Sequence, residues 1–223
     1  MKLAKPRVDI GLNTNNLEAM LAFWQGEAGV AFDHVLPIRR GMKQHRHDAN
    51  GSVLKINAHH EPLPDTAPAG YTELLIAREG VTRSLHDPDG NAVTLVPPGT
   101  NGISQIGIRL KVRDLAAHRR FYAEALGLSE EAPGAFRAGE TLLLLEQSTD
   151  APSDAEMDGK GWRYITFQVF KTDDEYARIL EHGGRAALAP TTLGTTARIA
   201  MVRDPDGNWI EISRRASITG SLE

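Results

Sequence analysis

The chain has 223 residues, of which 41% are hydrophobic and 24% charged, with no cysteine and a formal net charge of −4. A chain of this make-up buries a core of its own, and its charge balance gives no footprint for nucleic acid or an anionic membrane. Lack of cysteine excludes disulfides, cysteine zinc sites and thiol nucleophiles; no apolar run is long enough for a membrane-spanning helix, and the N-terminus lacks the apolar stretch of a secretory signal, so a cytoplasmic location is expected.

Residues 9–12 read as a strand leading into a helix that Asn16 is placed to cap. Leu17, Met20, Leu21 and Trp24 fall at i, i+3, i+4 and i+7, one apolar stripe. Residues 42–47 and 52–58 read as strands around the polar turn Asp48-Ala49-Asn50-Gly51. The Pro/Gly-rich stretch 61–70 reads as a linker and 71–77 as a strand. Asp87-Pro88-Asp89-Gly90-Asn91 follows almost directly, and it is hairpin chemistry: Pro presets φ, while Gly and Asn tolerate positive φ. Residues 92–95 continue as the hairpin's second strand.

After a second linker at 97–102, Gln105-Ile106-Gly107-Ile108 repeats the pattern of Asp9-Ile10-Gly11-Leu12. Asp114 caps a second helix with Leu115, Tyr122 and Leu126 on its stripe and Phe121 beside them. Residues 141–145 are an apolar strand ending at Glu146, 149–161 an exposed loop, and 162–170 a strand. Residues 172–182 form a helix, opened by a Thr172/Glu175 capping box and closed by Gly183. Asp204-Pro205-Asp206-Gly207-Asn208 then repeats the hairpin turn, with Glu211 inside the strand behind it. Two such turns in matching contexts indicate an internal duplication. Residues 1–100 are an abbreviated half without the later helix, 103–216 a complete half, and 217–223 a tail.

Strand–helix–strand–strand–strand, repeated and closed by Asp-Pro-Asp-Gly-Asn, resembles the vicinal oxygen chelate family, which includes glyoxalase I, extradiol dioxygenases, methylmalonyl-CoA epimerase and bleomycin-resistance proteins. The matching pieces are 105–114, Phe121-Tyr122, Leu126-Gly127-Leu128, 161–169 and 203–213, and more loosely 9–24 and 86–95. The resemblance implies an α+β fold of tandem βαβββ modules wrapped around an open cavity. It also implies metal ligands from the first, fourth, fifth and last strands, positions that fall here on Gln105, Glu146, Tyr164 and Glu211. Gln105, Glu146 and Glu211 would hold a divalent ion (Fe, Mn, Ni, Co, Zn or Mg) on which a small substrate chelates through neighbouring oxygens. Glu211 would also move a proton beside a carbonyl. Tyr164 stands where the family pattern has a histidine. A neutral phenol is a poor ligand, so Tyr164 would instead steady or protonate an oxyanion.

The expected function is thus a metal-dependent lyase or isomerase. An iron-dependent dioxygenase is one alternative, and a metal-free small-molecule binding protein, which the missing histidine favours, is another. His45 and His47 share one strand face and can bind metal with Asp9 nearby. Lys55 and Asn57 share a face of an apolar run and can bind a carboxylate or carbonyl, so these five residues form an alternative site. Family members build cavities from paired modules, so the site can also lie between the halves or between subunits. Plainer structural readings compete: Glu211 as an exposed strand residue, Tyr164 as core with a satisfied hydroxyl, the histidines as a solvated edge, Lys55 as a snorkelling side chain. Trp24, Trp162 and Trp209 read as core, and the carboxylates of both repeated turns as turn chemistry. The partners expected are a small-molecule substrate and a second copy of the chain, with neither nucleic acid nor membrane.

Overall fold

The computed structural model describes residues 1–222, and its strands form two sheets. The chain runs through four similar units. The first is β1 (Asp9–Thr14), α1 (Leu17–Ala22), β2 (Ala31–Arg39), β3 (Met42–Ala49) and β4 (Ser52–His59). The second, which has no helix after its opening strand, is β5 (Tyr71–Ala77), β6 (Arg83–His86) and β7 (Ala92–Val96). The third is β8 (Ile106–Val112), α2 (Leu115–Arg120), β9 (Ser129–Ala132), β10 (Ala135–Ala138) and β11 (Thr141–Gln147). The fourth is β12 (Gly161–Gln168), α3 (Thr172–Glu181), β13 (Arg185–Leu193), β14 (Ala197–Arg203) and β15 (Trp209–Arg215), followed by a short helix, α4 (Ala216–Thr219).

The units pair first with fourth and second with third. β1 meets β12 antiparallel in an eight-stranded sheet ordered β13-β14-β15-β12-β1-β4-β3-β2. β5 meets β8 antiparallel in a seven-stranded sheet ordered β6-β7-β5-β8-β11-β10-β9. Each sheet therefore draws strands from both sides of residue 100, and the two halves of the sequence interlock in space. No helix among the described residues is long and apolar enough to cross a membrane.

Period-two alternation sets the faces. In the eight-stranded sheet, Ile10, Leu12, Leu54, Ile56, Ile165, Ile210 and Ile212 are buried in the core that also takes Met20 and Trp24 of the first helix. The residues between them point to the opposite, concave face. Trp24 and Trp162 meet edge to face at 5.8 Å within the core, whereas Trp209 is only half-buried, with the Arg203 guanidinium 4.0 Å over its ring.

Several local expectations are revised. Asp114 does cap α2, accepting from the Ala117 N–H. Asn16 makes no side-chain cap; instead the Thr14 hydroxyl accepts from the Asn16 N–H. Lys171, not Thr172, precedes α3. Thr172 donates its hydroxyl to the Arg198 carbonyl, and Glu175 accepts from Arg178 and the Lys2 N–H, so no capping box forms. The loop at 149–161 is partly buried. Arg163, itself buried, clamps it by donating to the carbonyls of Glu156 and Lys160, and reaches the other linker through the Ala67 carbonyl.

Candidate functional site

Four adjacent central strands, β15, β12, β1 and β4, carry the densest polar cluster of the concave face. Thr166 of β12 stands opposite Asp9 of β1 on one side and Glu211 of β15 on the other. Lys55 of β4 lies beside Gly11 of β1 and opposite Arg46 of β3. The Lys55 Nζ donates to Thr166 Oγ1 at 2.6 Å and to Glu211 Oε2 at 3.0 Å. Thr166 in turn donates to the same Glu211 oxygen at 3.0 Å, closing a triangle. Lys55 is almost wholly buried, with a side-chain exposure of 4% against 13% for Glu211, so the carboxylate is the member that reaches toward solvent.

Tyr164 lies across the next row. Its ring sits 5.1 Å from the Lys55 ammonium, and its hydroxyl accepts from Asn57 Nδ2 and Gln44 Nε2, both at 3.3 Å. Gly11 is what allows this: a Cβ there would come within 2.3 Å of the tyrosine ring. Around the rim of the cluster, Arg46 donates to Gln44 at 2.8 Å, and Gln44 donates to the Asn57 carbonyl oxygen at 3.0 Å. Asp9 accepts from Lys5 at 2.7 Å, from the Val53 N–H at 2.8 Å and from Gln168 at 3.2 Å.

The electrostatics follow from burial and charge. Burial pushes the Lys55 ammonium down, opposed by Glu211 and Asp9. Burial opposes ionisation of Asp9, yet Lys5 and Lys55 outweigh it and hold its carboxyl below the usual range. Burial and the charge of Glu211 push the Tyr164 phenol up, so it stays protonated and keeps its O–H while accepting from Asn57 and Gln44. Burial and the charge of Arg46 lower Arg215, with Glu211 and Asp9 opposing. Three polar atoms here are buried without a partner: Arg46 Nε, Arg215 Nε and Gln168 Oε1.

The sequence-derived candidates divide cleanly. Glu211, Tyr164, Asp9, Lys55 and Asn57 converge. Gln105 and Glu146 do not join them, because they belong to the other sheet: Gln105 precedes β8 and Glu146 is an exposed residue on β11. The first and fourth strand positions beside Glu211 come from the first unit, as Asp9 and Lys55, since that unit pairs with the fourth. His45 and His47 lie opposite Ile56 and Leu54, on the helix-side face, and His47 contacts Gln25 and Phe32 there. They cannot share a centre with Asp9 or Glu211. Thr166, Gln44, Arg46, Gln168 and Arg215 escaped the sequence reading. Their signal was polar residues at period two within apolar strands: Gln44-x-Arg46, Lys55-x-Asn57, Tyr164-x-Thr166-x-Gln168, Glu211-x-Ser213-x-Arg215.

The donor set does not fit a divalent metal. Beside Glu211 stand a hydroxyl, an ammonium and a carboxylate already held by Lys5, and among the described residues no group of three His, Cys, Asp or Glu side chains is placed to hold an ion. Among the described residues the seven-stranded sheet holds no such group either. Its corresponding face packs Leu75, Val96 and Leu142 around Ile103 from the linker, beside a closed group of Arg109, Glu73 and Thr94. A cleft of about 360 Å³ beside Tyr71, Asn91, Lys111, Lys160 and Trp162 contains none of the converging residues.

Residues 102–212 match the family described as the Glyoxalase/Bleomycin resistance protein/Dioxygenase superfamily, and the chain belongs to this vicinal oxygen chelate superfamily. Among solved structures it is similar to glyoxalase I from Zea mays, at 14% identity and a TM-score of 0.72, covering 93% of this chain and 92% of that one. It is also similar to a protein from Bacillus subtilis provisionally assigned as a dioxygenase, at 12% identity and a TM-score of 0.67, covering 96% of this chain and 85% of that one. At such identities the likeness is one of fold. No curated protein matches the chain.

Proposed function

We propose that the concave face of the eight-stranded sheet binds a small carboxylate-bearing molecule and moves a proton on it, as an enzyme of the lyase or isomerase type. The observation that carries this reading is the pair Arg46 and Arg215: two guanidiniums near enough for the charge of Arg46 to lower Arg215, each with a buried Nε that no protein atom accepts. Glu211 and Asp9 offset part of this repulsion; a substrate carboxylate, which matches the guanidinium fork, would offset more.

With the carboxylate so held, Glu211 is the base. Both its hydrogen bonds fall on Oε2, leaving Oε1 to take a proton from the carbon next to a substrate carbonyl. The negative charge then developing on the carbonyl oxygen is met by the Lys55 ammonium and the Tyr164 hydroxyl. Return of the proton to a different position gives an isomerase; departure of a group from the neighbouring carbon gives a lyase. Metal-assisted chemistry at Gln105, Glu146 and Glu211 has no support from the donor geometry, nor has an iron site using His45 and His47. A second copy of the chain is the partner suggested by the edge strands, where Phe32, Val35 and Ile38 of β2 and Leu188 and Leu193 of β13 are exposed; light scattering tests it.

The functional test is a panel of short 2-oxo and 2-hydroxy carboxylates in the presence of a chelator. Thermal stabilisation is expected for at least one member, with exchange of its carbon-bound hydrogen in D2O that disappears in Glu211→Gln. Stabilisation without exchange would recast the protein as a carrier. Absence of any stabilisation, or exchange that persists in Glu211→Gln, would overturn the reading.

A further inference from the structure

We infer that Lys55 is a built-in cation that takes the place of a bound metal ion, so that the site works on a fixed ammonium and excludes divalent metals. The inference builds on the reading of this face as the substrate site, but its metal-uptake test does not depend on the substrate.

The ammonium occupies the centre of the cluster. Thr166 Oγ1 and Glu211 Oε2 lie within hydrogen-bond distance of it, and Asp9 lies close enough to influence its protonation. These are the oxygens that would face a cation bound between β1, β12 and β15, and Lys55 reaches them from the neighbouring strand β4. A divalent ion placed there would meet a like charge, while the lysine satisfies the carboxylate already. Thr166 serves as a switchless bridge: its lone pair accepts from Lys55 and its proton goes to Glu211. Both contacts fix the ammonium while its flexible stem is packed in the sheet.

An ammonium has three N–H donors. Two are used, by Thr166 and Glu211, and the third has the Tyr164 ring nearby at 5.1 Å. That third donor is the one available to a substrate oxygen. A lysine offers one directional hydrogen bond, where a divalent ion offers open coordination positions to several oxygens at once. The substrate is therefore expected to present a single carbonyl or hydroxyl oxygen to Lys55, with its carboxylate taken separately by Arg46 and Arg215.

Equilibrium dialysis of the chelator-treated wild type against Mn2+, Zn2+ and Co2+, read by elemental analysis, is the first measurement. No stoichiometric uptake is expected, and none that depends on Glu211. Lys55→Glu places a third carboxylate with Glu211 and Asp9 beside the Thr166 hydroxyl, an oxygen set suited to a hard ion; it should acquire stoichiometric Mn2+ with a change in the Mn2+ resonance spectrum. Lys55→Met, which keeps the stem without the charge, should weaken any stabilising carboxylate roughly ten- to a hundred-fold, as expected for loss of a charged hydrogen bond, and should remain metal-free. Stoichiometric metal in the wild type that is lost in Glu211→Gln would overturn the inference even if Lys55→Glu fails to fold, and would leave the carboxylate reading standing. Failure of every carboxylate to bind a wild type that also refuses metal would remove the carboxylate reading while leaving the cation role intact.

Discussion

Gly11→Ala tests the packing on which the site depends. The glycine has no positive φ to require its lack of a side chain; what the added methyl meets is Tyr164, with Cε1 and Cζ at 2.3 Å and the hydroxyl at 2.8 Å. Separations that short force the ring to move, and overpacking of this kind costs roughly 1–3 kcal/mol. Displacement also breaks the bonds from Asn57 and Gln44 to the phenol, each worth about 1 kcal/mol. Lower chain entropy in the unfolded alanine variant returns roughly 0.4–1 kcal/mol. The net expectation is a loss of about 2–4 kcal/mol, and each kcal/mol lowers the midpoint of a chain this size by about 2–4 °C. The assay is urea unfolding of Gly11→Ala, Tyr164→Ala and the double variant. Because the methyl acts through the ring, the penalty should largely vanish once the ring is gone, giving a coupling of at least about 1 kcal/mol. A stable Gly11→Ala, or strictly additive variants, would refute this account of why β1 carries a glycine.

Thr166→Val keeps the shape but removes the bridge between Lys55 and Glu211; it should destabilise by about 1–3 kcal/mol, with Thr166→Ser restoring most of it in the same denaturation assay. Ile103→Ala empties the face of the seven-stranded sheet where Ile103 is fully buried and should cost roughly 2–5 kcal/mol without altering carboxylate or metal behaviour at Lys55. His118 gives a pH dependence. Its Nδ1 donates to the Asp114 carbonyl at 2.8 Å, and its Nε2 lies 3.5 Å and 3.6 Å from carboxylate oxygens of Asp204 and Asp206. Burial lowers its pKa, but Asp204, the Asp114 carbonyl and Asp206 outweigh it and leave it raised. A raised folded pKa means the contribution is complete below the unfolded value, about 6.5, and is lost as pH rises through the higher folded value. Unfolding free energy should therefore decline with rising pH in that window, and the decline should be absent in His118→Gln.

Local chemistry made much of the fold legible. The repeated turns, Asp204 accepting from the Asp206 and Asn208 N–H groups and Asp87 doing the same for Asp89 and Asn91, are built from their own five residues, so their sequence is enough to find them. The strand Tyr71–Ala77 and the cap at Asp114 are equally local. β2, β9 and β13 were invisible because they are edge or near-edge strands whose positions are mostly exposed, with no alternation to read. The site was half legible. Glu211, Tyr164, Asp9, Lys55 and Asn57 are each notable within their own strands, but which of them meet depends on the pairing of β1 with β12, separated by some 150 residues of chain. Carrying ligand positions down one half of the sequence gave Gln105 and Glu146; carrying them across the sheet gives Asp9 and Lys55. Nothing local distinguishes those two routes.

The duplicated architecture also explains why the lysine cluster forms on one of the two sheets and not on the other. Thr94 stands where the repeated turn places the equivalent of Glu211, and Leu75 pairs with it as Thr166 pairs with Glu211. A lysine over Leu75 and Thr94 would find no carboxylate at the position of Glu211, and Glu73 beside it is already held by Arg109 and Thr94; the seven-stranded sheet instead buries Leu142, Val96 and the Ile103 plug. It retains polar residues one step along, where Arg109 donates to Glu73 at 2.8 Å and Thr94 donates to it at 2.6 Å, and none of these three leaves a buried atom unpartnered. On the proposed reading, that contrast separates a polar cluster that holds a sheet together from one built to take a ligand. The first closes on itself. The second, on the eight-stranded sheet, holds Lys55 and Glu211 through Thr166 and leaves the Nε of Arg46 and of Arg215 without an acceptor in the protein.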